Sequence, residues 1–231
     1  MTAVTIRYGR LALLFATLAS FCAISPAYAA RIDSATMFGL NAGTGPGVGL
    51  VAVPIINTTL VNNDNELGPG ANNIDVVVKR FDANGVIDIE FNTTPTAVPG
   101  NPNNTTEYLV FEGVDNNTGT PWVNYTMQLG FGVGGSFTPS LAGDGLDFDF
   151  PTFDSPPTST AFGGVVPGED VLTFGGGLHA AGLQTYRVRI DVSDGFSSFT
   201  LRQIPVPIPE PATLALAGVA MIGVLGVRRR S

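Results

Sequence analysis

An all-β fold, a single β-sandwich with jelly-roll-like or Greek-key connections, is what this sequence predicts, and three observations predict it. Apolar residues recur with a period of two in several segments, the spacing that lines one face of a strand. Clusters rich in Gly, Pro and Asn separate those segments, and such residues supply the backbone angles of turns. Helical periodicity is hard to find between residues 30 and 204, which leaves two layers of sheet around one core as the architecture.

The elements follow in chain order. Residues 1–29 read as a secretory signal peptide. Arg7 and Arg10 give a basic start, Leu11–Ile24 an apolar run, and Ala27-Tyr28-Ala29 a small-residue site with cleavage after Ala29. That run of 14 residues is too short to span a bilayer comfortably. Cys22 is the only cysteine, so the exported chain has no disulfide and rests on its core. Between Ala30 and Ile204 six basic residues stand against eighteen acidic ones, a net charge of −12. Such a surface repels nucleic acid and anionic headgroups, and nucleic acid is excluded as a partner.

The body, residues 30–204, carries the strands. Ile74–Phe81 and Val86–Phe91 are expected to form a hairpin across Asp82-Ala83-Asn84-Gly85. Ile87, Ile89 and Phe91 alternate with Asp88 and Glu90. Val123, Tyr125, Met127, Leu129 and Phe131 alternate with Trp122, Asn124, Thr126 and Gln128, which places Trp122 and Tyr125 on opposite faces. Leu146 and Phe148 alternate with Asp147 and Asp149, and Tyr186, Val188, Ile190 and Val192 with Arg187, Arg189 and Asp191. The charged rows are expected to face water across an antiparallel sheet. Asp115–Gly119 and Asp194-Gly195 read as turns, and Asn41–Gly49, Asn62–Asn73, Thr93–Thr106 and Pro151–Thr160 as surface loops.

Residues 205–231 form a third segment. Alternating prolines over Pro205–Pro211 predict an extended, exposed stalk outside any sheet. Ala212–Val227 is uncharged and mostly apolar, and Arg228, Arg229 and Arg230 follow before Ser231. The expectation is one C-terminal transmembrane helix of about 24 Å, against a hydrocarbon core of ~30 Å, with the arginines as a membrane stop on the cytoplasmic side.

Pro209, Glu210 and Pro211, one apolar segment and a terminal arginine cluster together resemble the PEP-CTERM sorting signal. The resemblance implies processing by an exosortase-type enzyme in a bacterium that makes exopolysaccharide. It also implies anchoring in the inner membrane before processing, then delivery to the cell surface or extracellular matrix. Asn117–Tyr125 and Phe199–Gln203 resemble segments of choice-of-anchor-type β domains that accompany such signals, which have no general enzymatic assignment.

Candidate chemistry in the body is sparse. His179 is the only histidine, after Gly175-Gly176-Gly177, and reads as a solvated loop residue. No Gly-x-Ser-x-Gly elbow and no His-Glu-x-x-His occurs. Asp144, Asp147 and Asp149, on a glycine turn, are the candidate calcium ligands, although Asp149 stands where a calcium-binding glycine-rich repeat wants an aliphatic residue. Asp64 and Glu66 form a weaker cluster. The expected function is a non-catalytic surface protein of the exopolysaccharide or biofilm matrix, without a required cofactor. The alternative is a secreted carbohydrate-active enzyme using a carboxylate pair, or a calcium-dependent glycan-binding module.

Overall fold

The computed structural model describes residues 28–39, 55–57, 72–97, 105–149 and 155–209. Among the described residues thirteen strands run in chain order: β1 (Tyr28–Phe38), β2 (Ile55–Asn57), β3 (Asn72–Phe81), β4 (Ile87–Ala97), β5 (Thr105–Asn116), β6 (Trp122–Phe131), β7 (Thr138–Pro139), β8 (Leu146–Asp147), β9 (Thr158–Ser159), β10 (Phe162–Val166), β11 (Val171–Gly177), β12 (Gly182–Ser193) and β13 (Ser198–Pro207). They form two sheets. The first has the order β1-β4-β13-β6-β11-β10 with β7 beside β6, and the second β2-β3-β5-β12-β8 with β9 beside β12.

The sheets face each other across one core. Ile87, Ile89, Phe91, Tyr125, Met127, Leu129, Phe199 and Leu201 come from the first; Tyr108, Val110, Val114, Tyr186, Val188 and Ile190 come from the second. Aromatic contacts cross the interface: Phe81 lies edge-on to Trp122 at 5.0 Å, and Tyr125 packs on Tyr186 at 4.7 Å. The alternation expected of β4, β6 and β12 thus points its apolar rows inward.

Several expectations are corrected. Asp82–Gly85 does not close a hairpin, because β3 belongs to the second sheet and β4 to the first. It is an arch between layers, and β3 pairs β5 in parallel. The turns after Asn116 and Asp194 cross between sheets in the same way. Turn chemistry reports that the chain reverses, not whether the flanking strands pair. Thr93–Ala97 and Thr105–Thr106, expected in a loop, complete β4 and begin β5. Asn41–Gly49 lies outside the described residues.

Trp122 does not oppose Tyr125. The register against β13 runs Pro205 to Tyr125, Val206 to Asn124 and Pro207 to Trp122, so Val123 is skipped. One extra residue flips the parity, and the Trp122 and Tyr125 rings stack at 5.8 Å, both fully buried. Pro205–Pro207 is also paired rather than a free stalk, and Pro205 is buried. β4 ends its pairing at Gln203, so this end of β13 has a neighbour on one side only. The Ile208 N–H donates to the Pro121 carbonyl at 2.9 Å. By alternation the two proline nitrogens then turn to the open side, where no donor is needed.

The outer row of β12 is wet only in part, since Arg187 is half-buried and Arg189 and Asp191 are buried. Arg189 is 4% exposed and pairs with Glu107 of β5, itself buried.

The C-terminal transmembrane helix is corrected as well. Among the described residues no helix is long and apolar enough to cross a membrane, and Gly134–Ser136 is a single 3-10 turn. Ala212–Val227, where hydropathy places the helix, lies outside the described residues, and its 16 apolar-rich residues already fall short of a bilayer's thickness. Among the described residues the fold class is therefore two β-sheets with no membrane-spanning helix, and the inner-membrane anchoring that rested on that helix is withdrawn with it.

Candidate functional site

Four polar side chains meet in the middle of the apolar core. The inward row of β5 reads Tyr108, Val110, Glu112, Val114, and that of β13 reads Phe199, Leu201, Gln203. Glu112 and Gln203 thus occupy positions where the period of two demands an apolar residue. Lys79 reaches the same layer because the β3–β5 register shifts between Val76 and Lys79, turning Lys79 and Phe81 inward together. Lys79 and Gln203 are 0% and Glu112 2% exposed.

Their contacts form a chain across both sheets. Lys79 Nζ donates to Glu112 Oε2 at 3.0 Å, Gln203 Nε2 donates to Glu112 Oε1, and the Tyr125 hydroxyl donates to Gln203 Oε1 at 2.7 Å. The carboxylate accepts only, which fixes the Gln203 amide with its nitrogen toward Glu112. Burial pulls the Lys79 amine below the usual lysine value, and the Glu112 charge opposes that. Burial likewise holds the Tyr125 phenol well above its ordinary value, and Glu112 adds to it.

Beside this chain sits His179, and it is no loop residue. It is fully buried, bridges Trp122 through paired backbone hydrogen bonds of 3.0 and 3.1 Å, and meets the Trp122 ring edge-on at 4.6 Å. Nε2 lies 3.1 Å from the Gly182 carbonyl, which only accepts, so Nε2 carries the proton. Nδ1 then accepts from the Tyr186 hydroxyl at 2.9 Å. Burial lowers the His179 pKa below its ordinary value. Asn116 ties this corner together, its Nδ2 donating to the Thr120 and His179 carbonyls at 3.0 Å each.

The acidic segment behaves differently. Asp144 closes its own loop, accepting from Ser140 Oγ at 2.8 Å and from the Leu141 and Leu146 amides at 3.0 Å each. Asp147 pairs with Asp191 in the β8–β12 ladder, and Asp149 is 5% exposed with φ of 47°. Among the described residues no three His, Cys, Asp or Glu side chains gather as a metal site would require. Asp64 and Glu66 lie outside the described residues.

Sequence reasoning missed the core chain of Lys79, Glu112, Gln203 and Tyr125. Two of its members had a signal: Glu112 and Gln203 are polar residues at inward parity in otherwise apolar rows. Lys79 had none, because a bulge leaves no mark in the residue pattern.

The sorting segment begins where the sandwich ends. β13 leaves the first sheet at Pro207, and Pro209 is exposed. Glu210, Pro211, Arg228, Arg229 and Arg230 lie outside the described residues, as does Ala27, while Ala29 stands in β1 opposite Thr96. Among known families, the PEP-CTERM protein-sorting motif matches this chain over residues 207–230. A PEP-CTERM motif is therefore present, at the last residue of β13 and beyond. No curated protein and no solved structure matches the chain.

Proposed function

We propose that this chain is a non-catalytic exported β-sandwich, a substrate of an exosortase-type system that serves in the exopolysaccharide or biofilm matrix at the cell surface. The observation that carries the reading is the sorting motif over residues 207–230, joined directly to the last strand of a folded body. A basic, apolar, small-residue leader at the other end supports export. The non-catalytic part draws support from how the polar groups are used: Asp144 caps a loop, and His179 holds a corner of the core. Among the described residues, the lining of a surface cleft bounded by Pro157, Thr158, Phe162, Val165 and Phe174 carries no carboxylate that could serve as half of a hydrolytic pair.

Mass spectrometry of the protein released at the cell surface tests the sorting reading. The wild-type chain should end near Pro209–Pro211, and Glu210→Ala should retain the end at Ser231. An intact Arg228-Arg229-Arg230-Ser231 terminus on released wild-type protein would sink it.

A further inference from the structure

We propose that Lys79 and Gln203 form an intramolecular isopeptide bond across the two sheets, with Glu112 as the catalytic residue that carries the protons. The inference stands on the core geometry and owes nothing to the sorting motif.

Three contacts gather the groups the reaction needs around Glu112 and Gln203. Lys79 Nζ is the nucleophile, held at 3.0 Å by Glu112 Oε2. The other oxygen of the same carboxylate holds Gln203 Nε2, the leaving nitrogen. The Tyr125 hydroxyl donates at 2.7 Å to Gln203 Oε1, the atom on which negative charge develops when Cδ is attacked. A carboxylate that touches both the attacking and the departing nitrogen is placed to take a proton from one and return it to the other. Burial excludes water, which protects the product from hydrolysis, and it favours the neutral amine that attack requires.

The atoms balance. Of the three protons on the Lys79 ammonium, one passes to Glu112 and frees the amine lone pair. Nζ attacks Cδ, and the oxygen of the tetrahedral adduct rests on the Tyr125 hydroxyl. A second proton passes through Glu112 to Nε2, the Cδ–Nε2 bond breaks, and ammonia departs with the two protons Nε2 already had. The third proton stays on the new amide, and Glu112 is left as a neutral acid. Nothing is oxidised or reduced. The reaction removes a cation and an anion that the core shields from water, and that desolvation cost drives it forward.

Two facts of the sequence fit. Lys79 is the only lysine among the 231 residues. It stands fully buried beside Glu112, where a solubilising charge serves no purpose, and lysines are almost never fully buried unless paired. The only cysteine, Cys22, lies in the leader, so no disulfide is available to join the sheets of the exported body.

The test is peptide mapping of the full-length protein, purified folded, then denatured and digested with trypsin. The expected result is no cleavage after Lys79 and a branched peptide joining the segment that ends at Arg80 to the one that begins at Gln203. Its mass should be short by one ammonia. A linear peptide with a free Lys79 amine overturns the proposal. So does a branch at Glu112 with loss of water, which would make the carboxylate the electrophile. Glu112→Gln, unable to accept a proton, should abolish the branch. Should that variant fail to fold, Tyr125→Phe removes only one donated hydrogen bond and should slow branch formation about a hundredfold. Wild-type rates in the variants would refute the assigned roles.

Discussion

Two ion pairs, one in each sheet of this sandwich, hold neighbouring strands on opposite terms. At its rim, Arg202 meets Asp88 through two bonds, Nε to Oδ1 at 2.7 Å and a terminal nitrogen to Oδ2 at 2.8 Å. The same guanidinium donates to the Gly134 carbonyl at 2.7 Å and lies 3.8 Å over the Phe137 ring, while the Gly134 amide donates to Asp88. The Arg202 side chain keeps 17% of its surface in water. In the core, Lys79 has no exposure and Glu112 is its one described partner. A planar fork matched by a carboxylate, a backbone carbonyl and an aromatic face is satisfied and stays inert. An ammonium with three donors and one acceptor in a dry core is far from satisfied, and that imbalance gives it chemistry.

The contrast can be broken by mutation. Glu112→Ala leaves Lys79 buried without its counter-charge, and urea unfolding should show a loss of about 3–5 kcal/mol. A loss equal to that of any rim substitution would erase the distinction. Arg202→Lys keeps the charge but loses the fork and most of the ring contact, and should cost about 1–2 kcal/mol. The smallest effect concerns His179, neutral beside the same cluster. Its folded pKa lies below the ordinary 6.5, so the unfolded chain binds the proton first as pH falls. The stability it contributes is full above about pH 6.5 and is lost progressively as pH falls below that value through the lower folded pKa. Thermal melts at pH 7 and pH 5 should therefore diverge more for wild type than for His179→Gln. Identical divergence would mean that carboxylates alone set the acid sensitivity.

What the sequence made legible was the side-chain alternation. The rows Ile87, Ile89, Phe91 and Tyr186, Val188, Ile190, Val192 are buried as their period requires. It was silent wherever one residue more or less changes the answer. A bulge at Val123 turned Trp122 inward, and another before Lys79 did the same for the future nucleophile. Arg189 illustrates a second limit: alternation separates two faces of a strand but does not say that the second face meets water. His179 illustrates a third. Its glycine-rich approach reads as loop, yet one bridge to Trp122 draws it into the core. The sorting motif was legible because its recognition depends on residue order alone, with no fold in between.

β13 lies between β4 and β6, not at a border of its sheet. A pull on the chain beyond Pro207 would run along this strand. The load would be parallel to β13, meeting the β6 ladder first and both ladders from Gln203 inward, so the strand must slide rather than peel away bond by bond. Wherever force enters through the chain beyond Pro207, the element that resists and the point where the load arrives are the same piece of chain.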